Sequence, residues 1–315
     1  MWRVEDGKQM ATLEASDVLC LAVSNDGRWI AAGTDRGPLV WNAKTYEEVF
    51  SHRVGYINGV DFSPDSTRLV SASGNRTASI WDIATRERVQ TLDHGGWVTA
   101  AKYSPQGDRI ATATGDSVRV WDCNDGRLLK QINVTVTPSY ITGLLWFNSH
   151  LLVVSDGKIK QFETSTGSTV SEWPVRGSNS YSCIVLPKHR GFIAYSTERT
   201  VTFWDTATHT QLGLIRHPQN ICSIALSPDD RFFAIGGGDG KITVGSLSRI
   251  TVSILSRCTG AYQQLSSTFP LRLFSNTIHS LSLVYTPHSR NHTFPLTMPP
   301  STLGSTINSR ARRLC

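Results

Sequence analysis

An aromatic residue, or a residue that replaces it, recurs along most of this chain at an interval of about 40 residues. The recurring positions are Trp2, Trp41, Trp81, Trp121, Phe162, Trp204 and Gly245. A turn sequence similar to Ser-Pro-Asp-Gly precedes most of them at a nearly constant distance, beginning at Ser24, Ser63, Ser104, Leu186 and Ser227. Two features that keep a constant phase indicate an internal repeat, and the fold must be built from that repeat.

The copy of the repeat between residues 55 and 92 predicts four short strands. Residues 57–62 alternate between apolar and polar side chains, and residues 63–66 then have the composition of a turn, with a Pro and an Asp. Residues 68–71, 77–81 and 89–92 are the other strands, and Gly74-Asn75-Arg76 is a tight turn that accepts a positive φ. Repeated four-stranded units of about 40 residues are typical of propeller blades.

The repeat therefore predicts an all-β fold, a β-propeller of four-stranded antiparallel blades with six complete blades plus a partial seventh. Residues 1–255 form the propeller, and residues 1–13 match the third and fourth strands of the incomplete blade. Residues 256–315 form a tail rich in Ser, Thr and Arg, which is either disordered or mis-translated from an unspliced or frame-shifted segment. Either the tail supplies the missing strands of the seventh blade, or the chain is a fragment of a longer array.

The net charge of +6 is distributed unevenly. Residues 246–315 contain seven Arg and no Lys, Asp or Glu, which leaves 24 basic and 25 acidic side chains in the rest of the chain. Such a neutral body does not predict a nucleic-acid partner. The sequence lacks the run of about 18 apolar residues that a membrane span needs, and its first residues lack the apolar run of a signal peptide. We therefore expect a cytoplasmic or nuclear protein with no membrane partner.

Trp-Asp pairs stand at the third strand of three repeats, and two degenerate pairs stand at the same place in two others. They are Trp81-Asp82, Trp121-Asp122 and Trp204-Asp205, with Trp41-Asn42 and Phe162-Glu163 as the degenerate copies. With these motifs, residues 1 to about 247 resemble the WD-repeat (WD40) family of β-propellers. The resemblance implies a turn aspartate in each blade, which Asp35, Asp156 and Asp239 match, with Asp116 in a blade that is one residue short.

The resemblance also implies a buried hydrogen-bond network of His, Ser or Thr, Asp and Trp within a blade. In the third blade its members are His94, Thr112, Asp116 and Trp121, and in the second they are, more loosely, His52, Ser71, Asn75 and Trp81. Since the other blades lack these residues, packing between neighbouring sheets has to supply most of the stability.

The resemblance further implies a non-catalytic interaction scaffold, a platform for a protein or peptide partner within a multiprotein complex. The alternative is a sensor or regulatory repeat module that is a fragment of a larger multidomain signalling protein. We expect no enzyme, cofactor or metal, because the nine His form no constellation, and Asp26, Asp65 and Asp229 share a turn position. The six cysteines contain no Cys-x-x-Cys pair and are expected to be reduced and structural.

One position at the start of each first strand is the predicted partner-binding site. It holds Asp17, Tyr56, Trp97, Tyr140, Asn179 and Asn220. In the family these strand starts lie near the central channel, on the face where partners usually bind. Three aromatic residues in adjacent blades predict a contiguous patch, whereas the alternative is that they cap the core between blades. Their neighbours Arg53 and Arg76 favour an acidic or phosphorylated partner.

Overall fold

The computed structural model describes residue 1 and residues 8–134, 141–175, 183–187, 191–227 and 229–247. The elements of this part of the chain are 23 β-strands in six antiparallel sheets, in which each strand pairs with the next one along the chain. Five sheets have four strands, and the sixth has three within the described residues. The predicted all-β propeller of successive blades is thereby confirmed. The predicted fourth strand of the sixth blade lies outside the described residues.

The first three sheets span residues 18–133. The first contains β1 (Val18–Val23), β2 (Trp29–Thr34), β3 (Pro38–Asn42) and β4 (Glu48–Ser51). The second contains β5 (Ile57–Phe62), β6 (Arg68–Ser73), β7 (Thr77–Asp82) and β8 (Arg88–Asp93). The third contains β9 (Ala100–Tyr103), β10 (Arg109–Ala113), β11 (Ser117–Asp122) and β12 (Leu128–Asn133).

The other three sheets span residues 143–246. The fourth contains β13 (Gly143–Phe147), β14 (His150–Ser155), β15 (Lys158–Glu163) and β16 (Thr169–Pro174). The fifth contains β17 (Cys183–Val185), β18 (Phe192–Thr197), β19 (Thr200–Asp205) and β20 (Gln211–Arg216). The sixth contains β21 (Ile221–Leu226), β22 (Phe232–Gly237) and β23 (Ile242–Ser246). No helix in the described part of the chain is long and apolar enough to cross a membrane.

The hydrophobic core lies between the sheets. Five clusters of buried side chains fill the five junctions between successive sheets, and a sixth cluster lies on the free side of the first sheet. The first strands of the sheets contact one another in the order β1, β5, β9, β13, β17 and β21. Since both faces of a middle sheet are covered, strands such as β6 and β14 are buried along almost their whole length.

The fourth strand of each four-stranded sheet contains a β-bulge. The pairing shifts by one residue beside the aromatic position of the third strand, as between Val40 and Trp41. The same shift occurs in the four other four-stranded sheets. The bulge twists the outer edge strand, and such a twist hinders pairing of exposed edges between molecules.

The beginning of the chain pairs with a segment ten residues further on. Met1 and Ala11 exchange backbone hydrogen bonds. Val40 and Phe50 are partners in the same relation one repeat later. Residues 2–7 lie outside the described residues, so the assignment of residues 1–13 to a partial seventh blade stays a prediction.

Candidate functional site: the strand starts at one edge of the sheets

Four of the six predicted site residues lie in the described part of the chain, and all four are exposed at or near the start of a first strand. They are Asp17, Tyr56, Trp97 and Asn220, whereas Tyr140 and Asn179 lie outside the described residues. The backbone carbonyls of Asp17, Tyr56 and Asn220 each accept a hydrogen bond from the turn that joins the second and third strands, at 2.7 to 3.1 Å. The three residues therefore occupy equivalent places in three sheets.

Ser73 connects the two described aromatic residues of the site. The hydroxyl of Ser73 donates to the carbonyl of Tyr56 at 2.9 Å, and the carbonyl of Ser73 accepts from the amide of Val98 at 3.1 Å. Asn58, two residues after Tyr56, donates from Nδ2 to the carbonyl of Val98 at 2.9 Å. The backbone that carries Tyr56 is thus fixed against the backbone that carries Trp97.

Both aromatic side chains are accessible from solvent. Tyr56 is 58% exposed and Trp97 is 51% exposed. Large apolar side chains that cap a core between blades are far less exposed, as Trp81 is at 2%. The described geometry therefore places the side chains of Tyr56 and Trp97 at the surface and not in the core between blades.

The two arginines named with this site lie on the adjoining loops. Arg53 is exposed and belongs to the connection between the first and second sheets. Arg76 is exposed in the turn between β6 and β7, where it adopts a φ of 72°. The tight turn was predicted to accept a positive φ, and the residue that adopts it is Arg76. Such a φ is uncommon for a residue other than Gly.

The third sheet contains three members of the predicted hydrogen-bond network. Trp121 donates from Nε1 to Thr112 Oγ1 at 2.8 Å, and Thr112 Oγ1 lies 2.8 Å from Nε2 of His94. Nδ1 of His94 lies 2.9 Å from the carbonyl of Leu92, which can only accept, so Nδ1 carries the proton and Nε2 accepts from Thr112. Burial lowers the pKa of His94 to about 4, and the charge of Arg119 adds to this effect.

Asp116 does not join this network. It is exposed, and its Oδ1 accepts a hydrogen bond from Thr114 at 3.2 Å, while Nδ1 of His94 is already bonded to Leu92. The assignment of Asp116 to the His94 network was therefore wrong. The turn in this blade is one residue shorter than in its neighbours, which moves the carboxylate away from the imidazole.

The second sheet also departs from the predicted network. Trp81 donates from Nε1 to Ser71 at 2.8 Å, as expected. His52 instead stacks on the Trp81 ring, with a centroid distance of 4.5 Å, and its Nε2 bonds to the carbonyl of Arg86. Asn75 bonds to Val54 and Thr77 and so stabilises its own turn. The assignments of His52 and Asn75 to the hydrogen-bond network were therefore wrong.

The Asp of each Trp-Asp pair stabilises the turn that follows it. Asp82 accepts from the amide of Thr85, Asp122 from that of Asn124, and Asp205 from those of Ala207 and Thr208, at 2.7 to 2.9 Å. These backbone hydrogen bonds, that of Thr208 first, lower the pKa of Asp205. The tryptophans themselves are buried or half-buried, at positions Trp41, Trp81, Trp121 and Trp204.

The turn aspartates of the other blades have different surroundings. Asp35 Oδ1 is buried without a hydrogen-bond partner among the described residues, which fits the absence of a His at the corresponding place before the first blade. Asp239 accepts from the amide of Lys241 at 3.2 Å. Asp156 adopts a φ of 51° in its turn. None of these arrangements reproduces the family network.

The carboxylates of the Ser-Pro-Asp turns are used by the turns. Ser63 donates to Asp65 at 2.6 Å, and this bond is the largest cause of the lowered pKa of Asp65. Ser24 and Ser227 donate in the same way to Asp26 and Asp229. Within the described residues, no group of three or more His, Cys, Asp or Glu is placed to hold a metal ion.

The described cysteines are free thiols. They are Cys20, Cys123, Cys183 and Cys222, while Cys258 and Cys315 lie outside the described residues. Burial raises the pKa of the Cys20 thiol to about 12. A thiol with such a pKa is not a nucleophile at neutral pH. The thiol of Cys20 lies 3.7 Å from the carbonyl of Ile57 in the second sheet.

An ion pair between the second and third sheets was missed by the sequence analysis. Lys102 Nζ lies 3.0 Å from Asp61 Oδ1, and Asp61 Oδ2 accepts from the amide of Tyr103 at 2.9 Å. Burial is the largest single influence and disfavours the charged ammonium of Lys102, but the charge and hydrogen bond of Asp61, with smaller contributions from Cys20 and Cys183, together raise the Lys102 pKa. The two residues occupy the same repeat position in adjacent blades, and opposite charges at this half-buried position are the signal that indicates the pair.

The comparisons with known proteins agree with this architecture. The family model of the WD domain, G-beta repeat, matches residues 7–42, 44–82, 86–122 and 209–244. Autophagy-related protein 16 of Arabidopsis thaliana is 27% identical over 252 residues, which are 75% of this chain and 48% of that protein. Transcriptional corepressor LEUNIG_HOMOLOG of the same plant is 22% identical over 278 residues, 73% of this chain and 35% of that protein.

A third relative is small ribosomal subunit protein RACK1y of Oryza sativa subsp. japonica. It is 27% identical over 161 residues, which are 49% of this chain and 45% of that protein. The chain thus spans half or less of the length of these curated relatives. With the family match in four repeats and six sheets in the expected order, the chain belongs to the WD-repeat (WD40) family of β-propellers.

Proposed function

We propose that this chain is a non-catalytic platform that binds a protein or peptide partner through the surface around Tyr56 and Trp97. The observation that carries the proposal is that two large aromatic side chains are more than half exposed on backbone held by Ser73 and Asn58. Rigid aromatic side chains bury much area at little entropic cost, and they are enriched among residues that dominate binding. Tyr140, Asp17, Asn179 and Asn220 are the further members of the proposed surface.

The proposed partner is acidic, and the chain acts as part of a multiprotein complex in the cytoplasm or the nucleus. The exposed Arg53 and Arg76 beside Tyr56 support the acidic character. Two of the relatives are named as a transcriptional corepressor and a small ribosomal subunit protein, and both names support work within an assembly. The match to the WD-repeat family and its relatives supports an interaction scaffold as the general role.

A regulatory repeat module of a larger protein is the second candidate. It is favoured by one finding, that the chain spans 48%, 35% and 45% of the lengths of its three relatives. The transcript upstream of Met1 separates the two candidates. An additional in-frame domain favours the regulatory module, whereas an untranslated leader favours the platform.

The test is affinity capture with the full chain, identification of bound proteins by mass spectrometry, and binding measurements with Trp97→Ala. We expect that variant to lose about 2 kcal/mol of binding free energy, or about thirtyfold in Kd. The matched control is Val170→Ala, because Val170 is 53% exposed on the outer strand of the fourth sheet. Both variants should melt within a few degrees of the wild type.

Two outcomes contradict the proposal. If Trp97→Ala binds every captured partner as the wild type does, this surface is not the binding site. If Trp97→Ala instead lowers the free energy of unfolding by several kcal/mol, Trp97 is a core residue and the site assignment fails.

A further inference from the structure

A cleft of about 180 Å³ opens on the first sheet, next to the surface around Tyr56. It lies between the residues before β1, the β2–β3 turn and the outer strand β4 with the loop after it. Its polar lining includes Ser16, Thr34, Arg36, Glu48, Ser51 and Arg53. This volume far exceeds the roughly 10–15 Å³ that hold a single water molecule. A second cavity, between the fifth and sixth sheets, is wholly apolar and measures about 10 Å³, so it is a packing defect.

Two guanidinium groups line the cleft. Arg36 is exposed, and its Nε lies 4.0 Å from Asp35 Oδ2, which is too long for a hydrogen bond. Arg53 has no hydrogen bond or ion pair within the described residues. The carboxylate among the lining residues is Glu48, whose Oε1 accepts from the hydroxyl of Ser51 at 2.6 Å. The lining thus has a net positive charge and guanidinium donors without strong partners.

The backbone of the cleft is held in place before any ligand arrives. The carbonyl of Arg36 accepts from the amides of Val54 and Gly55 at 2.9 and 3.0 Å, which fixes the loop of Arg53 to the turn of Arg36. Thr34 Oγ1 accepts from the amides of Arg36 and Gly37 at 3.1 Å. A Cβ atom at Gly37 would lie 1.7 Å from the carbonyl oxygen of His52, so only Gly allows this approach.

We infer that this cleft binds the phosphate group of a phosphorylated side chain on the protein partner. A phosphate monoester carries a charge of about −1.5 to −2 at neutral pH and three strong acceptor oxygens, and arginine pairs recognise it with bidentate geometry. The hydroxyl of Ser16 is a third donor at the cleft. A side-chain carboxylate offers only about half of that charge.

The inference rests on the proposed function, because it places one group of the same partner. Tyr56 follows Arg53 by three residues, so their Cα atoms are at most about 11 Å apart. An extended peptide of a few residues spans that distance. A partner anchored on Tyr56 and Trp97 therefore presents a neighbouring phosphorylated residue to the cleft.

The first measurement is calorimetric titration of the full chain with inorganic phosphate at constant ionic strength. We expect one saturable site, weakened at least tenfold in Arg36→Gln and in Arg53→Gln. Glu48→Gln should bind phosphate severalfold more tightly, because it removes a negative charge that repels the phosphate. A purely structural role of Glu48 does not predict that gain in affinity. The matched control is Arg127→Gln, since Arg127 Nε lies 3.9 Å from Asp125 Oδ2 and its side chain is 71% exposed. The control should bind phosphate as the wild type does.

The absence of a saturable site in the wild type overturns the inference, and so does equal binding by the wild type and both arginine variants. The second measurement compares O-phosphoserine with vesicles that contain phosphatidylinositol phosphates. Tighter, arginine-dependent binding of the vesicles overturns the assignment to a protein partner. Trp97→Ala should bind phosphate normally, so failure of the proposed function, seen in partner binding, is distinguishable from failure of this inference.

Discussion

Replacement of His94 by Gln removes a buried, neutral imidazole that is hydrogen-bonded to Thr112 and Leu92. The pKa of His94 is lowered to about 4, first by burial and then by the charge of Arg119, against an ordinary value of 6.5. The hydrogen bond to the carbonyl of Leu92 and, to a smaller extent, the carboxylate of Asp93 act in the opposite direction and raise the pKa. Because the folded state holds the neutral imidazole, protons bind the unfolded chain more readily between pH 6.5 and pH 4.

The magnitude follows from linkage between proton binding and folding. Above pH 6.5, His94 is neutral in both the folded and the unfolded state and does not change the free energy of unfolding. As the pH falls toward 4, the unfolded state binds a proton at His94 that the folded state does not bind, so the free energy of unfolding decreases. With a pKa of 6.5 in the unfolded state and about 4 in the folded state, the free energy of unfolding is lower than at neutral pH by about 2 kcal/mol at pH 5 and about 3 kcal/mol at pH 4. His94→Gln abolishes this loss but costs about 1–3 kcal/mol at pH 7.5, through the lost hydrogen bonds and ring packing against Trp121.

The assay is urea unfolding of the wild type and His94→Gln, followed by tryptophan fluorescence at pH 7.5, 6.5, 5.5 and 5. The free-energy advantage of the wild type should shrink by about 2 kcal/mol between pH 7.5 and pH 5, and the order of stability reverses if the starting advantage is smaller than that. An unchanged difference across this range refutes the reasoning, because another group would then govern the pH dependence.

Three further predictions concern the hydrogen-bond network, the close packing of the first sheets and the tail. Thr112→Val should lower the unfolding free energy by about 2 kcal/mol, since it leaves His94 Nε2 and Trp121 Nε1 unpaired. Ser71→Ala leaves only Trp81 Nε1 unpaired and should lower the unfolding free energy by about half as much in the same urea titration. Gly33→Ala should lower the unfolding free energy by about 2–3 kcal/mol, because the added Cβ would lie 2.5 Å from Cys20 Sγ and 2.8 Å from the carbonyl of Ile57. Its control is Gly95→Ala, whose Cβ would have no atom within 4 Å and which should change the unfolding free energy by less than about 0.5 kcal/mol. Limited proteolysis followed by mass spectrometry should remove residues 256–315 before it cuts the blades, and equal protection of both parts contradicts that expectation.

The period of the aromatic residues was sufficient to predict the order and type of the strands. A propeller blade is a local structure, in which each strand pairs with its chain neighbour, so the turn sequences and the alternation within a single repeat define it. Contacts between blades depend on which side chains meet across a junction, and the period alone does not define those contacts. The pair of Asp61 and Lys102 was therefore missed, although its two residues share a repeat position.

For the candidate site, too, the sequence predicted the positions of residues in the repeat but not every side-chain contact. Alignment of the repeats placed Tyr56 at the same structural position as Asp17 and Asn220, and the structure gives all three the same backbone hydrogen bond. The network around His94 was predictable for Thr112 and Trp121 but not for Asp116, because one missing residue in a turn redirects a side chain without disturbing the strands on either side. The cleft of Arg36 and Arg53 was not predictable, since its walls come from three connections whose separation only the fold determines.

The first and the sixth sheet are the two ends of the series of sheets in the described part of the chain, and each has one face that no other described sheet covers. Ala78 and Ile80 of the second sheet are 0% exposed against the third sheet, and their repeat equivalents in the sixth sheet, Ile242 and Val244, are 54% and 39% exposed. Within the described residues, no contact comparable to those between successive first strands joins β21 back to β1. Among the described residues, this face of the sixth sheet thus has the apolar composition of a buried face and no neighbouring sheet that covers it.

The outer face of the first sheet is partly covered by residues that precede it. Leu13 packs on the free side of the first sheet, in the cluster that contains Trp41. His52, at the equivalent position of the next repeat, packs on Trp81 in the same relation. The pairing of Met1 with Ala11 has the register of a third strand with a fourth. If residues 1–13 are the third and fourth strands of a partial seventh blade, as predicted, two inner strands belong between the sixth and first sheets. Burial of Ile242 and Val244 therefore depends on whichever chain segment supplies them.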